Sequence, residues 1–388
     1  MGNSAMNSKG GPALSAVGRR LVELPKRISG VDAEEGVISF DRGDPGFPTP
    51  APIVEAAARA MREGHTHYGN LNGDPELRAH IAGAITMESG SEVDIGQIVI
   101  TAGSTAGLST VLTALVDPGD RVVLTDPTYA AYTEEIAMVG GTPVRVPFLP
   151  DGHLDLPALH RAASGAKLII LCHPASPTGV VFTRDELNGL GDIASDTGTV
   201  VLADEAYADM VYDGREFVPT HTIPSLRPKL IVSRTFTKTY AMAGWRIGYL
   251  VVPPDFSEAV NLVHRTFNLV VNAAVQRGAL AALRAGPELY APMMRAYEER
   301  REMVMEWMRD SGLLTARRPE ATFYVFAHYP HDLGSVEMAE HLLGYGVRVR
   351  PGLYEGPNGQ QHLRICFASP TPILAEGLVR LEKGLLAL

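Results

Sequence analysis

Seven short strand-like runs, at 98–101, 121–125, 144–148, 167–172, 199–203, 229–233 and 246–252, constrain this chain more than any other feature. Most are continuously apolar rather than alternating, and helical spacing of apolar residues fills many of the gaps between them. A strand that is apolar on both sides must be covered on both sides, and parallel neighbours are joined through a helix. The pattern therefore predicts an α/β fold with a mainly parallel seven-stranded sheet sandwiched by helices. Ligands of such sheets sit outside the carboxyl ends of the strands. The residues that follow each run are thus the ones to read for function.

After 98–101 comes Gly103-Ser104-Thr105, opening a segment in which Leu108, Val111, Leu112 and Leu115 recur at helical spacing. Free N–H groups and the positive end of the helix dipole make such a turn an anion seat; plain N-capping by Ser104 or Thr105 is the alternative. After 121–125, Tyr129 offers an aromatic plane, and after 167–172 a double-proline turn carries Ser176 at its centre. After 199–203 comes Asp204, with Tyr207 three residues on. A carboxylate at the end of a buried strand is costly unless it meets a cation, so Asp204 suits the role of holding a protonated ring nitrogen; a helix N-cap is the other reading.

After 229–233 the chain reads Thr235, Thr237, Lys238, Thr239 and then Arg246. A lysine among threonines is expected to be held by their hydroxyls. Together with Arg246 it suits a phosphorylated carbonyl cofactor, the amine forming a Schiff base and the guanidinium gripping the phosphate. The competing reading puts both cations on a solvated helix face.

The net charge of −10 argues against a nucleic-acid partner. His65 and His67 lie in a turn-rich loop without further ligands nearby, so no metal site is expected. Two cysteines, Cys172 and Cys366, are too few for a disulfide framework, which suits a cytoplasmic setting. No apolar run is long enough to span a bilayer. Residues 1–12 lack the apolar core of a signal peptide and read as a flexible leader; Gly2 is not a myristoylation site, since Met6 stands where Ser or Thr is needed. A chain of 388 residues has room for two to three domains.

The motifs at 43–50 (GDPGFPTP), the Gly103 turn, 204–207 (DEAY), 233–249 around Lys238 and 362–368 (HLRICFA) resemble, in order, the signatures of class I/II aminotransferases, pyridoxal-phosphate enzymes of fold type I. The resemblance covers roughly residues 37–388. It implies amino transfer between an L-amino acid and a 2-oxo acid by a ping-pong route through a Schiff base at Lys238. It further implies that Arg246, Thr235 and the Gly103-Ser104-Thr105 turn hold the phosphate of pyridoxal 5'-phosphate, with Tyr129 stacked on its ring. Asp204 would pair with the ring nitrogen and Tyr207 with the ring hydroxyl. Arg364 would take the substrate α-carboxylate, helped by the backbone near Gly43. Tyr68 is similar to the tyrosine that reaches the neighbouring subunit's phosphate, which implies a homodimer with shared sites.

Two departures stand out. Ser176 replaces an asparagine that in the family bonds the cofactor ring oxygen and leans on the substrate carboxylate. Thr105 stands where the acidic-substrate enzymes of this branch often carry lysine, which turns the expectation away from aspartate as donor. A lyase or oxidase on the same fold, enabled by Ser176, and a regulator without turnover are the rival readings. The expected division is a leader at 1–12, a segment at 13–52 packing on the small domain, a large cofactor-binding domain at 53–287, and a small domain at 288–388. The last is expected to hold a helix at 288–310, strands at 322–327 and 347–352, and a closing helix from Pro372.

Overall fold

The computed structural model describes residues 14–24 and 36–388; the expected leader at 1–12 and part of the 13–52 segment lie outside the described residues. The strands, in chain order, are β1 (Ile38–Ser39), β2 (Ile98–Thr101), β3 (Arg121–Asp126), β4 (Thr142–Pro147), β5 (Leu168–Cys172), β6 (Val200–Asp204), β7 (Leu230–Thr235), β8 (Gly248–Val251), β9 (Tyr324–His328), β10 (Val347–Arg348), β11 (Arg350–Pro351) and β12 (His362–Cys366).

The main sheet has seven strands in the order β2-β8-β7-β6-β5-β3-β4. All its pairings are parallel except those of β8, which runs antiparallel to both β2 and β7. Every residue of β2, β5, β6 and β8 is buried, as continuous apolar runs require. Side-chain alternation still sorts them by face. Ile169, Leu171, Val201 and Ala203 enter one core with Leu77, Ile81 and Leu187 from covering helices; Leu168, Ile170, Val200 and Leu202 enter another with Leu108, Val111 and Ile136. β4 lies at the sheet edge, where its prolines at 143 and 147 cost least, since no central ladder needs their missing donors.

A separate core forms around the sheet β11-β12-β9, with Met293, Val304, Leu374 and Leu378 from the helices Ala291–Ser311 and Thr371–Leu385. The chain's first strand returns to it: β1 pairs in parallel with β10, Phe40 is fully buried there, and the Cys366 N–H donates to the Phe40 carbonyl at 2.9 Å.

Several expected boundaries move, each for a backbone reason. The strand expected at 246–252 begins at Gly248, because Arg246 has φ of 54° and cannot continue a ladder. The strand expected at 322–327 begins at Tyr324, after Thr322 with φ of 69°. The run 347–352 is split, β10 pairing with β1 and β11 with β12. The helix expected from 288 starts at Ala291, after a separate 3-10 turn at Pro287–Leu289, and Pro292 falls in its first turn.

Candidate active site

Loops after β3, β5, β6 and β7 and the start of the helix Ser104–Leu115 enclose a cavity of about 430 Å³, closed from the other core by residues 41–44, Tyr324, Arg350 and Arg364. The fold thus gathers side chains spread over more than three hundred positions of sequence onto one cavity wall.

At one end is an anion seat. Gly103 precedes the helix with φ of 85°, and a side chain there would press on Arg246, lying 2.6 Å from its Nη2. Only glycine lets the guanidinium sit against the helix start. No side chain caps this helix, which sets aside plain N-capping. The Ser104 Oγ lies 3.1 Å from the Ser233 Oγ instead, and the first N–H groups have no partner within the helix. Ser104, Thr105, Thr235 and Arg246 all line the cavity.

Arg246 is exposed at the rim, its Nη1 donating to the Ala243 carbonyl at 3.0 Å. It enters β8 in a left-handed conformation, while Lys238 sits in the turn after β7. Neither residue belongs to a solvated α-helix, so that competing reading is overturned.

At the other end is Asp204, 4% exposed at the end of β6. It accepts from the Tyr132 hydroxyl at 2.8 Å, and Ser104 Oγ lies 3.5 Å away. No ion pair among the described residues neutralises it. Burial pushes its carboxyl up to about 6. A turn, not a helix, follows it, so the N-cap reading fails.

Between the two ends Lys238, half-buried, donates from Nζ to the Gly43 carbonyl. The threonines do not hold it, contrary to expectation: Thr235 Oγ1 donates to Thr237 Oγ1 at 2.8 Å, and Thr239 Oγ1 to Asp209 Oδ2 at 2.9 Å. Desolvation by burial pushes the amine down to about 8, so a substantial fraction is neutral near physiological pH.

Tyr129 lines the wall, edge-on to Tyr132 with ring centroids 5.4 Å apart. Tyr207 donates its hydroxyl to that of Tyr324 at 3.2 Å. Ser176 Oγ is buried without a hydrogen-bond partner in a side chain only 3% exposed. Arg364 donates from Nη2 to the Asp41 carbonyl at 2.6 Å, lies over the Tyr324 ring at 4.4 Å, and pairs with Glu355 at 3.1 Å. Tyr68 is not at this cavity; it stands 85% exposed in the loop after the helix Ala51–Arg62.

Tyr132, Tyr324, Arg350 and Glu355 escaped the sequence reading. Tyr132 had a signal, a second tyrosine three residues after Tyr129, just inside the helix Ala131–Val139. The other three owe their place to strand pairing and a short turn, which no local pattern announces.

The arrangement can seat an anion, neutralise a cationic ring nitrogen and present a near-neutral amine between them. A family model for aminotransferase class I and II matches residues 35–380. The chain is 32% identical over 376 residues to an aspartate aminotransferase of Pyrococcus horikoshii, covering 94% of each chain. It superposes on a Thermus thermophilus aspartate aminotransferase tetra mutant with a TM-score of 0.86 at 30% identity, covering 96% of this chain and 99% of that one. An aromatic aminotransferase from Pyrococcus horikoshii gives a TM-score of 0.88 at 28% identity, with coverage of 96% and 99%.

Proposed function

This chain belongs to the class I and II aminotransferases, and we propose that the cavity at Lys238 is where it binds pyridoxal 5'-phosphate and exchanges the amino group. The protein is an enzyme that moves an amino group from an amino acid to a 2-oxo acid, by the ping-pong route general to this pyridoxal-phosphate-dependent family. The observation that carries the site reading is the pairing, in one cavity, of a lysine amine held near 8 with a buried carboxylate that has no cation.

The residues fit that cofactor. The helix start at Ser104 and Thr105, with Thr235 and Arg246, would hold the phosphate. Asp204 would gain the cation it lacks from the ring nitrogen, Tyr129 would stack on the ring, and Tyr207 and the orphaned Ser176 hydroxyl would bond its ring oxygen. When bound, the cofactor supplies an aldehyde carbon that condenses with amines and a ring that takes up the electrons of the Cα carbanion.

The chain's own residues do the rest. Arg364 takes the α-carboxylate as a planar two-donor partner and fixes the substrate's orientation. With the cofactor bound, the freed Lys238 Nζ would take the proton from the substrate Cα and deliver it to the carbon that carried the cofactor's aldehyde. The Gly43 carbonyl accepts from that amine, and the Tyr324 ring lies against that guanidinium.

We propose further that two copies assemble, Tyr68 reaching the partner's phosphate seat. Its 85% exposure and that of Phe267 at 63% support an interface. The division into 53–287 and 288–388, with 13–52 joining the second part, belongs to the same proposal. So does a cytoplasmic location; among the described residues no helix is long and apolar enough to cross a membrane.

Adding pyridoxal phosphate to cofactor-free protein should give a visible absorption band that amino donors bleach and a 2-oxo acid restores. A Lys238→Ala protein that still turned over at the wild-type rate would overturn the assignment.

A further inference from the structure

The carboxylate-binding wall contains more charge than one arginine. β11 and β12 pair antiparallel with Arg350 directly opposite Arg364, and both side chains line the cavity. Two guanidiniums on adjacent strands would by themselves form two anion sites, one for each carboxylate of a dicarboxylic substrate. Glu355 changes that. Its side chain is fully buried in the turn that follows β11. One oxygen, Oε1, accepts from Arg350 Nε at 2.6 Å and lies 3.1 Å from Arg364 Nη1. The other, Oε2, accepts from the Ala130 N–H at 3.1 Å, beside Tyr129. The Glu355 carbonyl takes the Thr128 N–H at 2.8 Å, so this residue is pinned to the loop after β3 at two points.

We propose that Glu355 sets the charge preference of this wall: by bridging Arg350 and Arg364 it leaves the pair one net positive charge, which a single carboxylate neutralises. A second carboxylate near the wall would then find no charge left over on this arginine pair and would lie close to the Glu355 charge buried behind it. Asp41, 4% exposed and lining the same cavity, adds to the penalty, whereas Arg42 and Asp44 stand exposed at the mouth, opposite in sign and screened by water. The substrate class this favours is an amino acid, or its 2-oxo acid, with an uncharged side chain. Glu355 acts through the arginines and is a positioning residue. The inference rests on the reading that Arg364 receives the substrate carboxylate.

The test is calorimetric binding of two probes to the holoenzyme, 3-phenylpropanoate with one carboxylate and succinate with two. The wild-type protein should favour the monocarboxylate. Glu355→Gln keeps the shape and an accepting oxygen but restores a positive charge, and should shift the preference toward succinate by about tenfold or more. Arg350→Gln removes a charge instead and should weaken both probes by a similar factor, so it decides the question if the glutamine variant does not fold. Folded variants with the wild-type ratio and affinities would overturn the proposal. An Arg364→Ala protein that keeps full affinity for 3-phenylpropanoate would instead overturn the site reading beneath it, and the proposal with it.

Discussion

The Tyr132 hydroxyl donates to Asp204 Oδ2 at 2.8 Å, joining the helix after β3 to the end of β6 inside the core. It is a neutral donor on a carboxylate that has no cation of its own, in a side chain only 4% exposed. The site is therefore built with a buried carboxylate that lacks a paired cation, the charge that the ring nitrogen of the proposed cofactor would balance.

The unpaired carboxylate has a pH signature in the cofactor-free protein. Burial raises the folded Asp204 carboxyl to about 6, above its unfolded value. The folded state then binds the extra proton between roughly pH 4 and 6, and stability falls as pH rises through that window. Above it the cost is about 3 kcal/mol. Cofactor-free Asp204→Asn should melt higher than wild type at pH 7.5 and no higher near pH 4, yet lose at least about a hundredfold in transfer rate. Equal melting temperatures at pH 7.5 would refute the unpaired charge.

Lys238 titrates in the opposite sense. Burial holds its amine down at about 8, so the neutral form that attacks a carbonyl grows with pH up to that point. The rate at which cofactor-free protein takes up pyridoxal phosphate, followed by stopped-flow absorbance, should rise about tenfold per pH unit below 8 and level off above it. A rate flat from pH 6 to 9 would show that the amine is not held by burial.

What the sequence made legible follows the range of the forces involved. Continuous apolar runs disclose a doubly covered sheet, because burial is written residue by residue; the ends of those runs then disclose Ser104, Tyr129, Ser176, Asp204 and Lys238. Glu355 and Tyr324 could not be read that way. Tyr324 reaches the cavity, and Glu355 comes to lie behind its arginines, only because β12 pairs with β9 and β11, and strand partners are chosen by tertiary packing. The mistaken expectation for the threonines near Lys238 has the same origin: adjacency in sequence suggested hydroxyl partners, whereas the amine's partner is the Gly43 carbonyl, 195 positions away.

Ser176 carries a buried, unpartnered hydroxyl at the cavity wall. Such a group costs about 1–3 kcal/mol when left unsatisfied. Ser176→Ala should therefore leave the cofactor-free protein as stable as wild type or about 1 kcal/mol more so, while reducing the stabilisation that pyridoxal phosphate adds. Thermal melts with and without cofactor separate the two effects. An alanine variant destabilised in the cofactor-free form would mean that the hydroxyl has a structural partner after all.

Gly43 is the tightest point of the substrate wall. A side chain there would overlap the Tyr324 hydroxyl and come within 3.5 Å of Lys238 Nζ. Tyr324 cannot simply retreat, because its hydroxyl meets Tyr207 at 3.2 Å and its ring lies under Arg364 at 4.4 Å. Gly43→Ala should thus disturb three groups at once, raising KM for the amino donor through Arg364 and lowering kcat through Lys238, at a stability cost of about 1–3 kcal/mol. Tyr324→Phe removes the overlapping atom and should be milder alone. If the overlap is the cause, adding Tyr324→Phe to Gly43→Ala should recover part of the lost kcat, a positive coupling between neighbours. Strict additivity of the two losses would instead place the effect in the Gly43 backbone and its carbonyl contact with the lysine.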